Sequence, residues 1–178
     1  MPTHAEDLEY QHAGSVSLLA RFYRPEGRGP FPAILEVHGG AWISGDRFNN
    51  VAIACWPVAD PLARYRAVQE RGNDRLVEAH HQFWPSEEAM AEGNPQLILE
   101  RSDPVETPPA LIMQGTADDN LTPDMAANFA AAYKRAGGSI AFHRFEGQPH
   151  AFIPRDPGSP DALRALGLIT DFIHHQAR

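Results

Sequence analysis

Only one cysteine, Cys55, occurs in the 178 residues. No intramolecular disulfide can form, and a zinc site built from cysteines is excluded. Basic runs are also missing. The formal charge is -8, from 15 Lys and Arg against 23 Asp and Glu, so nucleic acid and anionic membrane surfaces are poor candidate partners. No apolar run approaches the roughly 18 residues that a membrane helix needs. The opening residues, Met1-Pro2-Thr3-His4-Ala5-Glu6-Asp7, show neither the basic nor the apolar region of a secretory leader. A soluble, cytoplasmic protein without a membrane span is the resulting expectation. Internal repeats and low-complexity tracts are absent too, and 43% hydrophobic with 21% charged residues is ordinary globular usage. A chain of this length fits one domain, because single domains commonly hold about 100 to 200 residues.

What is present alternates between short apolar runs and capped helical stretches. Residues 15–23 are rich in strand formers and end at a Gly/Pro-rich turn over 26–30. Residues 33–37, 51–56 and 110–114 form short apolar runs read as buried strands, and 139–146 alternate as a strand does. Asp60-Pro61, Ser86, Asn94-Pro95, Thr122-Pro123-Asp124 and Ser159-Pro160 mark helix starts. Together they predict a helical excursion at about 61–100, a helix carrying Met125, Phe129 and Tyr133, and a last helix with a stripe of Leu163, Leu166, Ile169 and Ile173. Strands alternating with helices define an α/β domain with a mainly parallel sheet flanked by helices. Ligands of such sheets bind beyond the carboxyl ends of the strands.

Three chemistry-bearing segments fall at those ends. His38-Gly39-Gly40-Ala41-Trp42 follows the 33–37 strand, Gly115-Thr116-Ala117-Asp118-Asp119 follows the 110–114 strand, and Gly147-Gln148-Pro149-His150 follows the 139–146 strand. Paired glycines let backbone amides approach a developing oxyanion, and fixed dipoles stabilise such charge without reorganising. An acid on a neighbouring loop can hold an imidazole in the tautomer that a general base requires.

The segment 38–42 resembles the HGG oxyanion loop of α/β-hydrolase esterases and lipases, nearest to the hormone-sensitive-lipase-like and feruloyl-esterase-like groups. Residues 111–118 look like the acid-bearing strand and loop of that fold, and 146–152 look like its histidine loop, in the same acid-before-histidine order. The resemblance implies a cofactor-independent carboxylic ester hydrolase acting on small esters. It assigns Asp118, rather than Asp119, and His150 as catalytic residues, and Gly39 and Gly40 as oxyanion donors.

The pattern departs from the family at its centre. No G-x-S-x-G occurs, and none of the seven serines lies between such glycines. The elbow belongs between the HGG loop and the acid strand, yet residues 38–50 offer only 13 positions before the next strand, against the ~30 of one strand-helix-strand unit. The expectation is therefore a shortened α/β-hydrolase fold lacking central strand-helix units, with impaired or absent activity. Unpaired sheet edges make a homo-oligomer a further expectation. Ser44 lacks an elbow, and Cys55 lies inside an apolar run where cysteines are usually inert. The pairs His80-His81 and His174-His175 read as surface residues, since helical neighbours diverge and no carboxylate motif accompanies them. Trp42, Trp56, Phe83, Trp84 and Phe152 are candidate walls for an acyl pocket. The alternative reading is a non-catalytic α/β-hydrolase-like binding or interaction protein, and a third is that the intact enzyme is longer than this sequence.

Overall fold

The computed structural model describes residues 3–13, 16–27, 52–122 and 124–176. The chain divides into two compact units, Met1–Ala33 and Ile34–Arg178. The expected strand at 33–37, the loop at 38–42 with Gly39 and Gly40, and Ser44 lie outside the described residues.

In the first unit, β1 (Thr3–Ala13) and β2 (Val16–Pro25) pair antiparallel, from Thr3↔Pro25 to Ala13↔Val16, with a register shift between Glu9 and Gln11. The sequence marks β2 but not β1. Residues 4–9 of β1 are all exposed and include Glu6, Asp7 and Glu9, so no apolar alternation announces a strand there. Cross-strand pairing, a non-local effect, makes it one.

The second unit is built on a parallel sheet of order β3-β4-β5, with β3 (Ala52–Cys55), β4 (Ala110–Gly115) and β5 (Ile140–Phe145). Strand β4 lies in the middle and every residue of it is buried, which explains its unbroken apolar reading. Its alternating side chains feed two cores. Ala110 and Ile112 pack with Ala126, Ala130 and Tyr133 of α5 (Met125–Arg135) on one face. Leu111 and Met113 pack with Phe145, Phe152 and Ala165 on the other, where α6 (Phe152–Arg155) and α7 (Pro160–Gln176) lie. Cys55 packs against this second core.

The crossover from β3 to β4 contains α1 (Pro61–Glu70), α2 (Asp74–Phe83), α3 (Glu87–Glu92) and α4 (Pro95–Glu100). Asp60, Asn73, Ser86 and Asn94 each cap one of them by accepting a first-turn amide. Asp60 Oδ1 also accepts from Asn94 Nδ2 at 2.7 Å, which ties the starts of α1 and α4 together.

Three sequence expectations are corrected. Helix α7 buries Ala162 and Ala165 and packs Leu168, Ile169 and Phe172 on the second core, while Leu163 and Leu166 are exposed. Alanines let a helix approach a sheet closely, and a search for large apolar residues passes over them. Strand β3, read as buried, is exposed at Ala52 and only half-buried from Ile53 to Cys55. His80 is buried, 4% exposed, rather than on the surface.

Candidate active site

The acid and histidine loops leave the adjacent strands β4 and β5 side by side. Gly115 makes this approach possible. A Cβ built there would lie 2.0 Å from the backbone carbonyl oxygen of Gln148, so any side chain would push the histidine loop away. Ala117 N donates to that same carbonyl at 3.1 Å, and Thr116 N donates to Phe145 O at 2.9 Å. Thr116 Oγ1 then accepts from Gly147 N at 2.8 Å. Two backbone hydrogen bonds and one to the Thr116 hydroxyl stitch the two loops together before the side chains of Asp118 and His150 are considered.

Asp118 and His150 meet above this seam. His150 Nδ1 and Asp118 Oδ2 are 2.9 Å apart. Asp118 Oδ1 accepts from the backbone amides of Asn120 at 2.9 Å and Leu121 at 3.1 Å. Both carboxylate oxygens are thus engaged, and the side chain is only 1% exposed while the imidazole is 26% exposed. Asp119, next in the chain, is exposed. A buried carboxylate fixed by main-chain donors can orient a more accessible imidazole, the geometry that a general base needs.

Aromatic side chains wall one side of the imidazole. Trp56, which follows β3 with a left-handed φ of 56°, has its ring centroid 5.8 Å from that of His150. Phe152 stands edge-on to Trp56 at 5.6 Å. Phe83 and Trp84 pair with each other at 5.0 Å at the end of α2, and Trp42 lies outside the described residues.

The sequence did not single out three polar residues around the pair. Buried Gln114 anchors the acid loop, donating from Nε2 to Thr122 O at 3.1 Å while capping α5. Asn120 places Nδ2 3.1 Å from His150 Nε2. Arg64 of α1 reaches Asn120 twice, from Nε to its backbone O at 3.0 Å and from Nη2 to Oδ1 at 2.6 Å. Desolvation lowers the Arg64 guanidinium below its ordinary value, and the Asp118 charge opposes that shift. His80 Nε2 is 3.3 Å from Arg64 Nη1. Burial, then Arg64 and His81, push His80 down to about 4. A proximity signal existed for Asn120, two residues past Asp118; Arg64 lies 56 positions from Asn120 and had none. Among the described residues, no three His, Cys, Asp or Glu side chains cluster to hold a metal ion.

A parallel sheet flanked by helices, with an acid loop and then a histidine loop at the carboxyl ends of neighbouring strands, defines an α/β-hydrolase-like domain. The sequence profile of the prolyl oligopeptidase family matches residues 40–175, and the chain belongs to that family. Solved structures extend the comparison. EstE5, in a crystal soaked with p-nitrophenyl butyrate, is 19% identical with a TM-score of 0.56 over 71% of this chain and 43% of its own. This likeness shows the fold. The propionate-bound esterase Est2 of Thermogutta terrifontis is 27% identical with a TM-score of 0.49, over 71% of this chain and 42% of its own. The chain thus spans about two fifths of the length of these solved relatives. No curated protein matches it. Among the described residues, no helix is long and apolar enough to cross a membrane.

Proposed function

We propose that this chain carries the acid-base half of a cofactor-independent α/β-hydrolase site for small carboxylic esters. The observation that supports this most is the 2.9 Å contact between His150 Nδ1 and Asp118 Oδ2 beyond the ends of adjacent parallel strands. In this reading His150 accepts the proton of an oxygen nucleophile as it attacks the acyl carbon, then returns it to the departing alcohol. Asp118 holds the ring and compensates the transient imidazolium. Gly39 and Gly40, within the HGG-W segment that resembles the hormone-sensitive-lipase-like and feruloyl-esterase-like esterases, donate the oxyanion amides.

The sequence contains no nucleophile elbow. The chain by itself therefore works through a water activated by His150, and is impaired against a covalent hydrolase. A cytoplasmic location and pairing with a second copy through sheet edges belong to the same proposal. Activated esters demand least of the general acid, so p-nitrophenyl acetate is the substrate to test. His150→Ala and Asp118→Ala should each abolish its turnover; activity unchanged in both would exclude the pair from catalysis.

A second reading, a non-catalytic binding protein, draws on the contact that already occupies His150 Nε2. It predicts no labelling by a fluorophosphonate. Stoichiometric labelling of a serine would overturn it.

A further inference from the structure

Around His150 the hydrogen bonds all run in one direction. Arg64 carries only donors, so its contact of 2.6 Å fixes the facing atom of the Asn120 amide as the oxygen. The amide nitrogen must then face His150 Nε2, at 3.1 Å. An amide N-H can only donate, which makes Nε2 the accepting nitrogen and Nδ1 the one carrying hydrogen. That hydrogen points to Asp118 Oδ2 at 2.9 Å. The file runs from a cation through an amide and a neutral imidazole to a carboxylate, and each link has one allowed polarity. The backbone supports it independently of the Asn120 side chain, because Asn120 N donates to Asp118 Oδ1 and Asn120 O accepts from Arg64 Nε.

We propose that Asn120, turned by Arg64, is a positioning residue that caps the basic nitrogen of His150 and must leave it before the imidazole can take up a proton. The proposal rests on His150 being the base, and it adds a step before proton transfer. An imidazolium has no lone pair to offer Asn120, so protonation and the Asn120 contact exclude each other. The same displacement is required of any electrophile that attacks Nε2.

The test uses diethyl pyrocarbonate on the full chain, with the modified residue located by peptide mass spectrometry among the nine histidines. The Nε2 lone pair forms a bond to one carbonyl carbon, ethyl carbonate departs and decomposes to ethanol and carbon dioxide, and the Nδ1 proton goes to solvent. The His150 side chain is 26% exposed. Asn120→Ala removes the cap and should speed acylation of His150 by about tenfold, the size of one net hydrogen bond at the strong end of its range. Asn120→Asp replaces the donor with a carboxylate that retains a proton on Nε2, and should slow acylation below the parent rate. Loosening of the loop would move both variants in the same direction. Opposite shifts support the cap; equal rates in all three proteins, or shifts of one sign, overturn it. The readout needs no ester turnover, so loss of the proposed hydrolase activity and loss of the cap are seen separately.

Discussion

Gly115 and Gln148 touch so closely that a methyl group on the former would overlap the carbonyl oxygen of the latter, at 2.0 Å. This contact lets the acid loop and the histidine loop share hydrogen bonds, and it explains why the apolar run of β4 ends in glycine. Gly115→Ala should destabilise the fold by about 1–3 kcal/mol, the usual cost of overpacking. Urea unfolding would measure it. A midpoint equal to that of the parent would show that the histidine loop yields without cost.

Proton linkage at His80 gives a prediction with a definite sign. Its folded value is about 4 against an ordinary 6.5, so between those values the unfolded chain binds the proton that the folded one refuses. The stabilising contribution is complete above about 6.5 and is lost as the pH falls toward 4. Arg64, His81 and the Tyr65 ring are the groups that face it. His80→Gln retains an acceptor for Arg64 and removes the titration. Urea midpoints from pH 7 to 4.5 should therefore fall less steeply in the variant, and parallel profiles would contradict this.

The two cap residues Asp60 and Asn94 are coupled. Asp60 Oδ1 serves both Ala63 N at 2.9 Å and Asn94 Nδ2 at 2.7 Å, and Asn94 is fully buried. Asp60→Ala should cost about 1–3 kcal/mol, since it removes a cap and orphans a buried amide. Adding Asn94→Ala should then cost less than it does in the parent. Strict additivity in a double-variant cycle by urea unfolding would show the two caps to be independent.

How far the sequence was legible follows from where the deciding interactions lie. Asp60, Ser86 and Asn94 were readable as caps because a cap acts within three residues. Strand β4 was readable because burial on both sides leaves an unbroken apolar run, and the shorter apolar stretches of β3 and β5 marked strands although β3 is only half-buried and β5 is buried only at its ends. Strand β1 was hidden because its exposed, charged residues form a strand only against β2. The buried face of α7 was misread because Ala162 and Ala165, not Leu163 and Leu166, approach the sheet. Asp118 and His150 could be named from the glycine-bearing loops that hold them. The partners that orient them, Arg64 above all, are joined only by the fold.

The central claim is that Asp118 and His150 act as one unit, and the most direct measurement is p-nitrophenyl acetate turnover by the parent, the two single alanine variants and the double variant. Residues that work together lose activity once, not twice. The account predicts that the double variant is no slower than His150→Ala alone. Losses that multiply, or a His150→Ala variant as active as the parent, would contradict it.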